Sequence, residues 1–292
     1  MELCTKGLGG SVPQLKARNV DLSCIRTCVV VAEERPRISL CSSFTKLFSG
    51  LNLSPRAVST SFGCRVNVAI CLQVKKSIFR RPQKDVIHSG PALFFQGASS
   101  PDPNTVYVDL RALRNDRVTL TERGAPHSLA LMESGKLLPG VNVIIANPDT
   151  KGQCGDSHLG EVSKKTRQQH ACIFRAWLTS LSLSLYCLFH LKIWVQCPHN
   201  ASGYFTIYGE DSAYADHFNV RLVTGATGEV YARTGYLGFL RRTEAIGSDG
   251  DYHDAVFVVG ALDETLILRG MRYHPIDIEM SVMRAHKRIA ER

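Results

Sequence analysis

The 292-residue chain has no His-Glu-x-x-His, no Gly-x-Ser-x-Gly and no Cys-x-x-Cys. Their absence removes the usual marks of a zinc peptidase, a serine hydrolase and a zinc finger or dithiol site. Ten cysteines and ten histidines are present, but they are scattered. Cys24 and Cys28 share a Cys-x-x-x-Cys spacing with no second pair to complete a metal site, so reduced thiols of a cytosolic protein are expected and metal ligands are not. No basic stretch followed by an apolar run opens the sequence, which argues against a secretory leader. The uncharged stretch Ala176–Leu191 falls short of the roughly 18 to 20 residues a membrane span needs, and it carries serines and a histidine. No Gly/Ser/Thr-rich phosphate loop is found either.

What is present in excess is positive charge, +9 overall. Such a balance ordinarily suggests nucleic acid or a membrane surface as partner. Its distribution argues otherwise. Residues 74–96 hold Lys75, Lys76, Arg80, Arg81 and Lys84 against Asp85 alone, and residues 162–192 hold Lys164, Lys165, Arg167, Arg175 and Lys192 with no acid. The remainder has equal numbers of acids and bases, so neither a nucleic-acid partner nor a stable membrane span is expected. Arg241-Arg242 reads as solvated surface.

Hydrophobic periodicity predicts a buried strand from Val20 to about Ala32 and an amphipathic helix over Phe44–Leu51, stopped by Leu53-Ser54-Pro55. A short strand Ala57–Ser61 ends at Phe62-Gly63. After the Leu138-Pro139-Gly140 turn comes a β-branched strand, Val141–Ala146, which Asn147-Pro148-Asp149 turns back. Val230–Arg233 and Leu237–Leu240 are expected as separate strands flanking Thr234-Gly235, with Ala255–Val259 beyond a loop at Gly247–Gly250. Pro275 starts a last helix, with Ile278, Val282 and Ala285 on one face. The order predicts an α/β body that becomes β-rich toward its end.

Segments 74–96 and 162–192 fit neither period. Val162-Ser163 can be encoded by GTGAGT, the consensus start of an intron, and Ser182–Lys192 by a pyrimidine-rich tract closing on AG. Val74-Lys75 can be GTAAAG, and Ala92–Gln96 can end a similar tract in CAG. Both segments are therefore expected to be translated introns. A spliced transcript that still carries them would defeat that expectation. Trp177 and Leu181–Leu188 are expected to stand apart from the main core.

With the segments removed, Leu159-Gly160-Glu161 joins Ile193-Trp194-Val195 into one strand. Around it lie Ser134-Gly135-Lys136, Asn147-Pro148-Asp149-Thr150 and Ala201-Ser202-Gly203-Tyr204. Arg233-Thr234-Gly235-Tyr236-Leu237-Gly238-Phe239 and Arg269-Gly270-Met271-Arg272-Tyr273-His274-Pro275 follow. In this order the motifs resemble the fatty acyl-AMP ligase branch of the adenylate-forming enzymes, and in wording the second such domain of the disco-interacting protein 2 family.

The resemblance implies a partial adenylate-forming, acyl-CoA synthetase-like α/β fold. Residues 1–262 would be the distal part of the large AMP-binding subdomain, and 263–292 the hinge and the start of the small one. It implies ATP or AMP and Mg²⁺ as cofactors, a fatty-acyl or lipid substrate, and a cytoplasmic role in lipid metabolism, with membrane association or a protein partner as further options. Phe62-Gly63 would pack on adenine, Arg233, Gly235 and Tyr236 would line the nucleotide site, and Asp263-Glu264 would form the hinge. The phosphate loop would precede Met1 and the catalytic lysine would follow Arg292. The family's Mg²⁺-linked glutamate falls at Val66, its ribose-binding aspartate at Tyr236, and the arginine after Gly260 is Ala261. A phenol cannot make the charged bidentate contact of a carboxylate. The expectation is therefore no catalytic residue in this chain and no independent ligase activity, or else a non-catalytic module that holds a lipid, an acyl-adenylate or a protein partner.

Overall fold

The computed structural model describes residues 1–55, 57–73, 105–147, 151–153, 192–204, 217–225, 227–244, 252–285 and 289. In chain order the elements are α1 (Glu2–Leu8), α2 (Val12–Ala17), β1 (Cys28–Ala32), α3 (Ile38–Ser49), β2 (Val58–Phe62), β3 (Cys71–Leu72) and β4 (Thr105–Asp109). Then come α4 (Leu110–Arg114), β5 (Ser128–Met132), β6 (Gly135–Leu137), β7 (Asn142–Asn147), β8 (Gly152–Gln153) and β9 (Lys192–Gln196). The rest are β10 (Val220–Arg221), β11 (Val230–Glu244), β12 (Tyr252–Ala261), β13 (Leu266–Leu268), β14 (Met271–Tyr273) and α5 (Pro275–Ala285). They fall into two compact units.

The first unit comprises Met1–Val106, Ala130–Pro139 and Arg241–Val258. Its strands lie in the order β1-β2-β3-β6-β12. β1 and β2 are parallel, which requires a crossover, and α3 provides it. The other neighbours are antiparallel. One core cluster gathers Phe48 of α3 with Leu51, Leu53, Ala57 and Val58.

Two expectations are corrected here. The strand expected from Val20 begins only at Cys28, because Ile25 N–H donates to the Leu22 carbonyl in a turn, and Leu22 N–H donates to the Leu51 carbonyl. Nor is the strand buried on both faces: Val29 and Val31 are 46% and 57% exposed. The helix expected from Phe44 starts at Ile38, directly after Pro36-Arg37 has set the chain in an extended turn.

The second unit comprises Tyr107–Leu129, Gly140–Leu240 and Val259–Arg292. Its strands run β11-β9-β7-β8, all antiparallel, with β10 on β11. Trp194 and Tyr231 anchor its core with Ile144, Ala146, Val220 and Leu222. β7 pairs antiparallel with β8, while Pro148 and Asp149 of the expected turn lie outside the described residues. β9 starts at Lys192, the last residue of the segment 162–192, and pairs it with Ala146 and Leu237. Leu159–Glu161, Trp177 and Leu181–Leu188 lie outside the described residues, as do Val74–Gln96 and Gly247–Gly250.

The two strands expected on either side of Thr234-Gly235 are one strand, β11, with a register shift between Arg233 and Leu237. Gly235 takes φ +81°, which absorbs the extra residues as a bulge, so the chain continues where a turn was expected. α5 begins at Pro275 as expected, but Ile278 and Val282 are 41% and 46% exposed, and Ile276 is the residue it buries. The described residues among 263–292 lie within this unit.

Candidate functional site

In the first unit, β2 ends at Phe62, which is fully buried. The chain then folds back through a loop in which Cys64 N–H donates to the Asn67 carbonyl at 2.8 Å and Ile70 N–H to that of Phe62 at 2.9 Å. Asn67 also accepts from Ala69 N–H through its side-chain oxygen at 3.0 Å. A Cβ on Gly63 would stand 1.9 Å from the Val68 carbonyl oxygen, so the loop itself demands glycine there. Val66 is buried in the same loop and Arg65 is exposed.

Beside β2 lies a cleft of about 360 Å³. One wall is a face of α3 at helical spacing: Ile38, Cys41, Ser42, Thr45, Lys46 and Ser49. The other is formed by Pro55, Val58, Thr60, Gln73 and Met132. The volume is that of a small-ligand site. Thr60 and Gln73 are almost fully buried.

Glu133, next in sequence to Met132, is also buried, with His253 Nε2 at 3.9 Å from its carboxylate. That distance is too long for a hydrogen bond. Burial first, and then the Lys136 charge, hold the His253 pKa below its usual 6.5, against the opposing pull of Asp254.

In the second unit, the residues Arg233, Gly235 and Tyr236 are brought together by the β11 bulge. Arg233 sits opposite Trp194 of β9, and its guanidinium lies 5.4 Å from the centre of the indole. The Thr234 hydroxyl donates to the Ile193 carbonyl at 2.8 Å and accepts from Tyr236 N–H at 3.1 Å. The Gly235 carbonyl accepts from Leu262 N–H at 2.8 Å. The bulge is thereby tied to the turn that carries Asp263 and Glu264, both exposed, which Thr265 closes onto the Leu262 carbonyl. Ala261 ends β12, and Gly260 is needed against His274, whose Nδ1 would be 2.6 Å from a Cβ.

Two residues were not singled out from sequence. Asp116 forms a buried ion pair at 3.0 Å with Arg272, which also donates to the Thr265 hydroxyl at 2.8 Å. Gln73 lies in the cleft with neither amide atom hydrogen-bonded. Asn115-Asp116, with Asp116 at φ +55°, gives only a turn signal. A glutamine closing a short strand gives none.

No profile of a known protein family matches the chain. Among curated proteins it is 58% identical to Disco-interacting protein 2 homolog B-A of Danio rerio, with all of the chain aligned to 15% of that protein. It is 57% identical to homolog A of Mus musculus, again over the whole chain and 16% of the relative, and 50% identical to Disco-interacting protein 2 of Drosophila melanogaster, over 16% of it. The chain thus spans about 15% of the length of the curated relatives it matches. A medium-chain-fatty-acid–[acyl-carrier-protein] ligase of Moorena producens is 25% identical across 60% of the chain and 22% of that ligase.

Solved structures agree on the fold. A fatty acyl-adenylate ligase study of E. coli and L. pneumophila proteins supplies one neighbour at TM-score 0.53, 18% identity, 91% of this chain and 34% of that one. The fatty acid AMP ligase from Legionella pneumophila gives TM-score 0.51 at 20% identity, over 90% of this chain and 33% of that one. The chain belongs to the disco-interacting protein 2 family and carries part of an adenylate-forming α/β fold.

Proposed function

We propose that this chain supplies the acyl-holding part of an adenylate-forming scaffold and does not itself form an acyl-adenylate. The observation that carries this is the pairing of a built cleft with a weakened nucleotide side. The cleft combines apolar walls at Ile38, Val58 and Met132 with hydrogen-bonding groups, as an acyl ligand requires. A fatty-acyl class is supported by the names of the ligases the chain resembles.

On the nucleotide side, the residues implied for AMP are Phe62, Gly63, Arg233, Gly235 and Tyr236. Val66, where the resemblance puts a Mg²⁺-linked glutamate, is apolar and 2% exposed, so that position does not fit the ion. Among the described residues, no group of three or more His, Cys, Asp or Glu side chains is placed to hold a metal. Tyr236 offers a phenol where a carboxylate would grip ribose. Losing charge-assisted contacts of about 1.5–3 kcal/mol each would weaken nucleotide binding substantially.

The same reading takes the exposed Asp263-Glu264 turn as the boundary between 1–262 and 263–292. It places the protein in the cytoplasm, in lipid metabolism. A second reading, a non-catalytic module presenting a lipid or acyl-adenylate to a protein partner, is favoured by the same Val66 and Tyr236. ATP–pyrophosphate exchange with dodecanoic acid, run beside calorimetric titration of that acid, tests the proposal. Fatty-acid binding without exchange is expected; exchange above background would overturn it.

A further inference from the structure

Gln73 follows directly on β3, and its backbone is fixed on both sides. Its N–H donates to the Thr60 carbonyl at 2.8 Å, and a Cβ on Gly135 of β6 would lie 2.2 Å from its nitrogen. The side chain is 1% exposed, and neither Nε2 nor Oε1 has a hydrogen-bond partner. Buried amides are almost always paired, since an amide brings both donors and an acceptor that water would otherwise satisfy. An unpaired one in a cleft wall calls for a ligand group.

The neighbours show which group is missing. The Thr60 hydroxyl donates to the Glu133 carbonyl at 3.2 Å. On α3, the Thr45 hydroxyl donates to the Cys41 carbonyl at 2.8 Å and that of Ser49 to the Lys46 carbonyl at 2.7 Å. These three hydroxyls of the cleft lining have spent their only protons and have nothing but lone pairs left to offer. Ser42 and Lys46 stand on the exposed part of the helix face. A second buried group without a partner, the Ser134 hydroxyl, belongs to the residue preceding Gly135. What those three hydroxyls cannot supply is a donor for the Gln73 amide oxygen. A ligand hydroxyl donates as well as accepts, a ketone only accepts, and an alkyl chain does neither.

We propose that Gln73 makes this cleft selective for an acyl group that carries a hydroxyl along its chain. The inference rests on the cleft being the acyl site, as read above, and adds the chemical class of the acyl group. The unsatisfied amide is then a stability cost retained for binding.

Calorimetric titration of the 292-residue chain with dodecanoic acid and with a positional series of hydroxydodecanoic acids tests it. At least one hydroxy acid should bind roughly three- to tenfold more tightly than dodecanoic acid, the worth of one buried neutral hydrogen bond. Gln73→Leu should abolish that difference while raising the ligand-free melting temperature by a few degrees, because it removes an unpaired polar group and keeps the volume. Gln73→Met serves as the second variant should Leu not fold. A glutamine of purely structural value would show the reverse, a lower melting temperature with discrimination unchanged, and that result overturns the inference. Equal binding of both acids by the wild-type chain overturns it too and leaves the acyl site standing. Absence of binding by every fatty acid overturns both.

Discussion

Histidine 253 shows how burial sets chemistry one side chain at a time. Desolvation and Lys136 keep its folded-state pKa below 6.5, so between those two values the unfolded chain binds the proton that the folded chain refuses. Stability therefore rises with pH across that window and is lost as pH falls below about 6.5. His253→Gln should flatten the dependence, and urea unfolding of both proteins at pH 5 to 7.5 checks it. A steeper slope in the variant would show that another group titrates. The thiols differ for the same reason. Burial pushes Cys71 up to about 12 and raises Cys64, whereas Cys24 is exposed, so alkylation of the native protein should begin elsewhere than β3.

Among elements, the β13–β14 hairpin is held to the rest of its unit by charge. Its strands pair Leu266 with Tyr273 through the Arg269-Gly270 turn, both residues at positive φ, while Leu266, Ile267 and Leu268 are all more than half exposed. Apolar burial contributes little here, so the Arg272–Asp116 pair and the stacking of Arg114 on the Tyr273 ring at 4.6 Å carry the attachment. Arg272→Met alone should cost about 3–5 kcal/mol, because it leaves the Asp116 carboxylate buried without its partner. Asp116→Asn combined with Arg272→Met should recover part of that loss. A double-mutant cycle by urea unfolding would read a coupling of about 1–3 kcal/mol, and a coupling near zero would refute the attachment.

The hairpin also shows what sequence could convey. The Pro275 start of the helix that follows it is a local signal and was legible. The Asp116–Arg272 pair spans 156 positions and leaves no local trace. β11 was misread for a related reason: Thr234-Gly235 carries turn chemistry, and only the partner strand β9 turns it into a bulge. Gln73 escaped notice because its interest lies in the partners it lacks, which no window of sequence displays.

For the molecule as a whole, the question is which residues the fold uses. Every excess charge lies in 74–96 and 162–192, while strands next to them hold regular register on one side: β3 through Leu72 with Lys136, and β9 from Lys192 onward against β7. Removing 162–192 would place Glu161 where Lys192 now stands, opposite Ala146 and Leu237. A backbone ladder accepts that exchange, because the pairing is made by N–H and C=O groups, and Ile193-Trp194-Val195 would keep its place in the core. A chain lacking both segments should therefore fold with an undiminished melting temperature. Its net charge falls from +9 to zero, so retention on a heparin column, if the full chain shows it, should disappear. Loss of cooperative unfolding in the shortened chain would mean that the segments contribute to the core after all, and the charge they carry would then belong to the protein's function.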